Sequence, residues 1–251
     1  MLSASTGCFM THDYEYVKGM LEQTSAEGIE VIVYRTYMLD LATVGDVFYD
    51  CDLPVTSVHS CKSIQTIIST PGQECIAQGL LCSTVDLACR LDSPVVVAHA
   101  WDGRCYSLDI GAIQECIAQC ADYAHEHGVS LSIEAVPSRA FYPPDLVGRL
   151  LSAAPNASVT LDFEYASMYD MYSDLLEYCS RISNVHLRDY KGQWIIDGKR
   201  MYVKPGDGAV DFKEKIGMLK SKGYRGTYTV EAPHCSVSDL ERTLSFFRDI
   251  I

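Results

Sequence analysis

The sequence predicts an α/β fold, a (β/α)8 TIM barrel in a single domain. Strand-like runs alternate with helical periods eight times along 251 residues, with no linker and no break in composition. Alternation of this kind implies right-handed crossovers and a parallel sheet. Several of the strand-like runs also end in His, Asp or Glu, where a barrel builds its site. An open doubly wound sheet is the other fold such alternation allows. No G-x-G-x-x-G follows the first strand, however, and no phosphate loop occurs.

Ser3 to Met10 reads as the first strand. Thr11-His12-Asp13 is an N-cap region, and Tyr14 to Glu27 keeps a loose helical period that Gly28 closes. Ile29 to Tyr34 is the second strand, and residues 36–50 suggest a short helix under a loop. Pro54 opens the third strand, Val55 to His59, and a long helix covers about 73–91. Pro94 opens the fourth, Val95 to His99, whose β-branched and small residues suit burial on both faces. A helix over 109–127 ends at Gly128, and Val129 to Glu134 is the fifth strand. Helix 144–153 follows the Pro143-Pro144 pair, then the sixth strand, Ser158 to Asp162, and a helix over 170–180. Asn184 to Leu187 is the seventh strand. The connection from Arg188 to Val210 is long, a common mark of function. Asp211 to Lys222 is the next helix, Gly226 to Glu231 the eighth strand, and Asp239 to Ile250 a final helix.

Net charge is −13, with 48% hydrophobic and 21% charged residues. An acidic surface without a Lys/Arg run repels phosphate backbones, so no nucleic-acid partner is expected. No apolar stretch approaches the ~20 residues of a membrane helix. The N-terminus lacks a basic start and a signal-like segment, and a cytoplasmic protein is expected. Eleven cysteines form no C-x-x-C and sit mostly in apolar helical patterns, which reads as buried reduced thiols.

In a barrel, His59, His99, Glu134, Asp162, His186 and Glu231 fall on one rim. Two Glu, one Asp and one His suit a divalent ion such as Mn²⁺, Mg²⁺, Co²⁺ or Zn²⁺. Without a cation, clustered carboxylates raise one another's pKa values.

These residues, with Gly28-Ile29-Glu30, Ile133-Glu134, Leu161-Asp162, Val185-His186-Leu187-Arg188-Asp189, Pro205 to Phe212 and Val230-Glu231, resemble the xylose-isomerase-like TIM barrels. That family includes sugar-phosphate isomerases, ketose 3-epimerases, inosose dehydratases and the family 2 AP endonucleases. The resemblance implies one divalent metal held by Glu134, Asp162, His186 and Glu231, with Glu134 and Glu231 as the acid–base pair. It implies an isomerase or epimerase acting on a sugar, sugar phosphate or polyol by proton transfer through a metal-stabilised enediolate. A lyase or dehydratase of a keto-sugar or keto-inositol is the alternative on the same site, and a non-catalytic sugar-binding or partner subunit a third.

The sequence also departs from the family. Tyr165 stands where the family often has a histidine, and Ala140 where well-known 3-epimerases have a second glutamate. Arg200 and Tyr202 stand where the nucleases have an Asp-x-His pair. Candidate substrate contacts are His59, His99, Trp101, Arg188 and Lys204. Trp101 reads either as the floor of a sugar site or as a core residue; Arg188 and Lys204 read either as holding a carboxylate or phosphate or as solvated loop charges. A homo-oligomer is compatible with the family.

Overall fold

The computed structural model describes residues 1–251 apart from 193, 194, 197, 198 and 235, and of residues 196, 199 and 200 only the backbone. The strands are β1 (Leu2–Ser5), β2 (Gly28–Ile32), β3 (Val55–His59), β4 (Val95–Ala98), β5 (Ser130–Glu134), β6 (Ser158–Asp162) and β7 (Ile182–Leu187), then β8 (Ile195–Ile196), β9 (Lys199–Arg200) and β10 (Thr227–Val230). Eight of them close a barrel in the order β1-β10-β7-β6-β5-β4-β3-β2. Every barrel pairing is parallel, while β8 and β9 form an antiparallel ribbon in the long loop. The (β/α)8 expectation therefore holds.

The helices are α1 (Tyr14–Leu21), α2 (Leu41–Phe48), α3 (Ile64–Ile68), α4 (Glu74–Arg90), α5 (Ile110–Glu126), α6 (Pro143–Ala153), α7 (Phe163–Met168), α8 (Tyr172–Leu175), α9 (Phe212–Ser221) and α10 (Val237–Arg248). Asp13, Asp40, Asp109 and Asp211 each accept an N–H of the first turn that follows, satisfying a donor that the helix leaves open.

Residue parity decides what faces the site. Successive strand side chains point to opposite faces. Leu131, Ile133, Val159, Leu161, Val185, Leu187, Tyr228 and Val230 join Ile117, Leu150 and Leu244 in one buried apolar cluster. Each such side chain contributes roughly 1.5–3 kcal/mol on burial. The alternate positions, Ser132, Glu134, Thr160, Asp162, Asn184, His186 and Thr229, are buried and polar, and Glu231 follows Thr229 at the same parity. Register sets Asp162 beside His186, and His186 beside Thr229.

Local structure departs from the expected boundaries where side chains cap the backbone. The first strand stops at Ser5, whose Oγ accepts the Gly7 N–H at 3.1 Å and turns the chain into a single 3-10 turn, Thr6–Cys8. The expected 170–180 helix is replaced by α8 and a 3-10 segment, Leu176–Arg181, and a separate short helix, α7, precedes them. Asp162 caps α7 directly, and the left-handed Asp170 (φ 52°) separates α7 from α8. No helix among the described residues is long and apolar enough to cross a membrane. The ten described cysteines are free thiols, five of them buried.

Candidate active site

Glu134, Asp162, His186 and Glu231 converge at the C-terminal mouth. One donor atom from each lies within 4.8 Å of the others, and all four residues are buried. His186 Nδ1 lies 3.2 Å from both Glu134 Oε1 and Glu231 Oε2. Asp162 is pinned by two jobs: Oδ1 accepts the Tyr165 N–H at 2.8 Å, and Oδ2 accepts from Arg188 Nη1 at 3.2 Å. Around the rim, Asp162 and His186 stand between Glu134 and Glu231, because β6 and β7 separate β5 from β10.

His59 and His99 gather on the other carboxylate oxygen of Glu134. His59 Nε2 lies 3.2 Å from Oε2, and His99 Nε2 also meets it. The Gln65 side-chain amide lies 2.9 Å from His99 Nδ1. His59, His99 and Glu134 thus form a second group of possible metal donors, sharing Glu134 with the first.

Three charged residues complete the site without having been singled out for it from the sequence. Lys62 Nζ lies 3.2 Å from Glu231 Oε1. Glu164 pairs with Arg188. Glu30, from β2, lies 3.2 Å from His186 Nε2. Lys62 and Glu164 sit just past strand ends, three residues after His59 and two after Asp162, so strand-exit position was the signal for both. Glu30 lies inside its strand, where its inward parity and the Gly28-Ile29-Glu30 resemblance were the signals.

Burial and charge oppose each other throughout. Burial pushes Glu231 upward, but Lys62 and Arg188 outweigh it and hold the carboxyl well below the usual range. Burial likewise lifts Glu134, and the imidazoles of His99 and His186 overcome it. Asp162 goes the other way: burial lifts it to about 7 despite the Arg188 guanidinium. Burial lowers His99 to about 4, against the pull of Glu134, and leaves it neutral. Burial also opposes the charged form of His186, yet Glu30 and Glu134 raise it well above the ordinary value.

The donor set fits a divalent cation. Five buried carboxylates, Glu30, Glu134, Asp162, Glu164 and Glu231, share the site with three cationic partners, Lys62, Arg188 and His186. Uncompensated charge sealed from water costs several kcal/mol per ion, and a divalent cation would offset it. One imidazole with carboxylates suits a hard or borderline ion.

A model of the family described as xylose isomerase-like TIM barrel matches residues 53–250. The chain belongs to this family. It is 28% identical over 133 residues to an inosose dehydratase of Glaesserella parasuis, covering 45% of this chain and 44% of the relative. It is 33% identical over 82 residues to an inosose dehydratase of Yersinia enterocolitica, covering 28% of each. These matches span less than half the length of the curated relatives. The D-allulose 3-epimerase structure from Methylomonas sp., in complex with D-allulose, superposes with a TM-score of 0.78 at 17% identity, covering 100% of this chain and 96% of that one. That likeness is one of fold.

The structure places three of the four family departures at or beside the mouth. Tyr165, at the position where a histidine is common, lies under Arg188, whose Cζ is 4.9 Å from the ring centroid. Ala140 lines a shallow depression with Arg139 and Phe141, beside the mouth. The Arg200 side chain lies outside the described residues, and Tyr202 lines the mouth.

Lys62 divides the mouth into two lobes. A cavity of about 270 Å³ is lined by Tyr34, Arg35, Lys62, Arg188 and Glu231, and another of about 480 Å³ by Lys62, His99, Arg104, Arg139 and Tyr165. His59 and His99 touch Glu134, and Arg188 touches Asp162 and Glu231. The other two candidate substrate contacts lie elsewhere. Trp101 is 0% exposed and belongs to the core, so it offers no surface on which a sugar could rest. Lys204 Nζ is held 2.5 Å from Asp239 and lines a separate depression with Pro205 and Phe246.

Proposed function

We propose that this chain is a divalent-metal-dependent isomerase or epimerase of a sugar or polyol, working by proton transfer beside a carbonyl. The observation that carries this reading is the approach of Glu134 and Glu231 to one imidazole nitrogen from two sides of the rim. Glu134, Asp162, His186 and Glu231 would hold the ion, which supplies Lewis acidity to the substrate carbonyl.

The protein's own groups do the rest. Glu134 and Glu231 both stay ionised, so either can accept a proton from the carbon next to the carbonyl. The cations Lys62 and Arg188 stand against Glu231 and face the smaller lobe, where they offset negative charge developing on the substrate oxygens. Neutral His99 reaches Glu134 and lines the larger lobe, where it meets a substrate hydroxyl. Returning the proton to the opposite face epimerises; returning it to the neighbouring carbon isomerises.

A second reading keeps the same first step and expels a β-hydroxyl, giving a dehydratase. The sequence matches to inosose dehydratases favour it. Incubating the Mn²⁺-loaded chain with keto-sugars and inososes in deuterated water separates the two. Deuterium beside the carbonyl of an otherwise intact sugar is expected for the first reading. An enone absorbance with loss of water supports the second. No exchange and no enone with any polyhydroxy ketone would overturn both.

A further inference from the structure

Glu30 has no place in the proton-transfer scheme, yet it is 0% exposed beneath the mouth. Its Oε2 takes three contacts: Ser57 Oγ donates at 2.7 Å, Asn184 Nδ2 donates at 3.1 Å, and His186 Nε2 lies at 3.2 Å. The Asn184 amide cannot turn round. Its Oδ1 already accepts from Thr229 Oγ1 at 2.9 Å and from the Val185 N–H at 3.0 Å, so its NH2 faces Glu30. Residues from β2, β3, β7 and β10 thus fix one carboxylate oxygen on the far side of the His186 ring. Its other oxygen, Oε1, has no hydrogen-bond partner among the described residues.

A buried carboxylate with an unpartnered oxygen is costly. Packing alone does not call for the charge, since a neutral side chain would fill the space. What the charge meets is His186, the one cationic partner of Glu30 among the described ion pairs. The two ring nitrogens are chemically distinct, and the hydrogen bond made by one decides what the other offers. Here Nε2 faces Glu30, and Nδ1 faces Glu134 and Glu231.

We infer that Glu30 is a positioning residue that holds the Nε2–H of His186 and so presents Nδ1 to the cation site. This rests on the cation reading given above. Glu30 touches neither of the two mouth cavities and acts only through His186. Groups that orient a metal-binding histidine in this way typically account for about 10–100-fold in metal affinity.

The test uses Glu30→Gln and Glu30→Ala in the full chain, with Mn²⁺ and Zn²⁺ alone as probes. In the wild type, ¹⁵N NMR of His186 with Zn²⁺ bound is expected to show a metallated Nδ1 and a protonated Nε2. Mn²⁺ titration is expected to give weakening of about 10–100-fold in E30A. Glutamine can still accept from Nε2–H, so E30Q is expected to recover part of the affinity and the Nδ1 signature; if E30A does not fold, E30Q still carries the test through a smaller weakening. Metallation at Nε2 in the wild type would overturn the inference. So would wild-type Mn²⁺ affinity in the folded variants. A wild-type chain that binds neither ion overturns the cation reading itself, and this inference with it.

Discussion

Lys62 Nζ lies 3.2 Å from Glu231 Oε1, joining the exit of β3 to the exit of β10 across the mouth of the barrel. The contact puts an ammonium between the two lobes of the mouth. It also leaves Glu231 shared between the proposed ion, Lys62 and Arg188.

Removing that ammonium tests its part in offsetting charge on the substrate. Lys62→Met is expected to lower kcat/KM by about 100-fold, the scale seen when one preorganised donor is lost. Steady-state kinetics alongside Mn²⁺ titration checks this. Mn²⁺ affinity is expected to hold or tighten, because Glu231 is no longer shared. Wild-type kcat/KM in this variant would remove Lys62 from the chemistry.

His186 answers to carboxylates on both ring edges. In His186→Ala, Glu30 and Glu134 lose that partner in a sealed interior. Breaking a buried pair from one side costs about 3–5 kcal/mol. Denaturant unfolding of the metal-free variant is expected to show a loss of that order. A loss under 1 kcal/mol would contradict the ion-pair geometry.

The pH dependence follows from the raised values of two proposed ligands. Burial disfavours a charged His186, but Glu30 and Glu134 raise it well above its ordinary value; burial lifts Asp162 to about 7. A proton must leave His186 before an ion binds, so Mn²⁺ affinity is expected to rise with pH through neutrality. The slope approaches about tenfold per pH unit for each proton displaced. In the metal-free chain the sign is opposite. Both groups have folded values above their unfolded ones, so their contribution to stability is full at low pH and is lost as pH rises through the folded values. Titrations at several pH values, with and without Mn²⁺, check both signs.

The long loop after β7 depends on Asp189. Its carboxylate accepts N–H groups from Tyr190 (2.8 Å), Gly206 (3.0 Å), Gly208 (2.9 Å) and Val210 (3.0 Å). A Cβ on Gly208 would lie 2.2 Å from Asp189 Oδ1 and 2.4 Å from the Tyr190 carbonyl oxygen. Gly208→Ala is therefore expected to cost about 1–3 kcal/mol. Because Arg188 immediately precedes Asp189, kcat/KM should fall as well. Thermal unfolding and kinetics together test this. A variant as stable and active as wild type would show that the clamp is dispensable.

Much of this arrangement was legible in the sequence because parallel strands keep a period of two. His186 and Asp162 stand out as polar residues ending apolar runs, and barrel closure then brings them together. Glu30 was not legible as a partner of His186. The two residues are 156 positions apart and meet only across the barrel interior. Trp101 could not be decided from the sequence because a position just past a strand end is shared by site and core residues; its full burial matches the core reading. Lys204 likewise depends on a pairing with Asp239 that lies 35 positions along the chain. The Pro205-Gly206-Asp207-Gly208 turn was visible as a motif, but its cause, the carboxylate of Asp189, was not.

The central claim is that Glu134, Asp162, His186 and Glu231 hold one divalent ion. Calorimetric titration of Mn²⁺ into metal-stripped wild type, Glu134→Gln and His186→Ala tests it most directly. The expected result is one equivalent bound per wild-type chain, with binding abolished in H186A and greatly weakened in E134Q. No binding by wild type, or wild-type affinity in H186A, would contradict it.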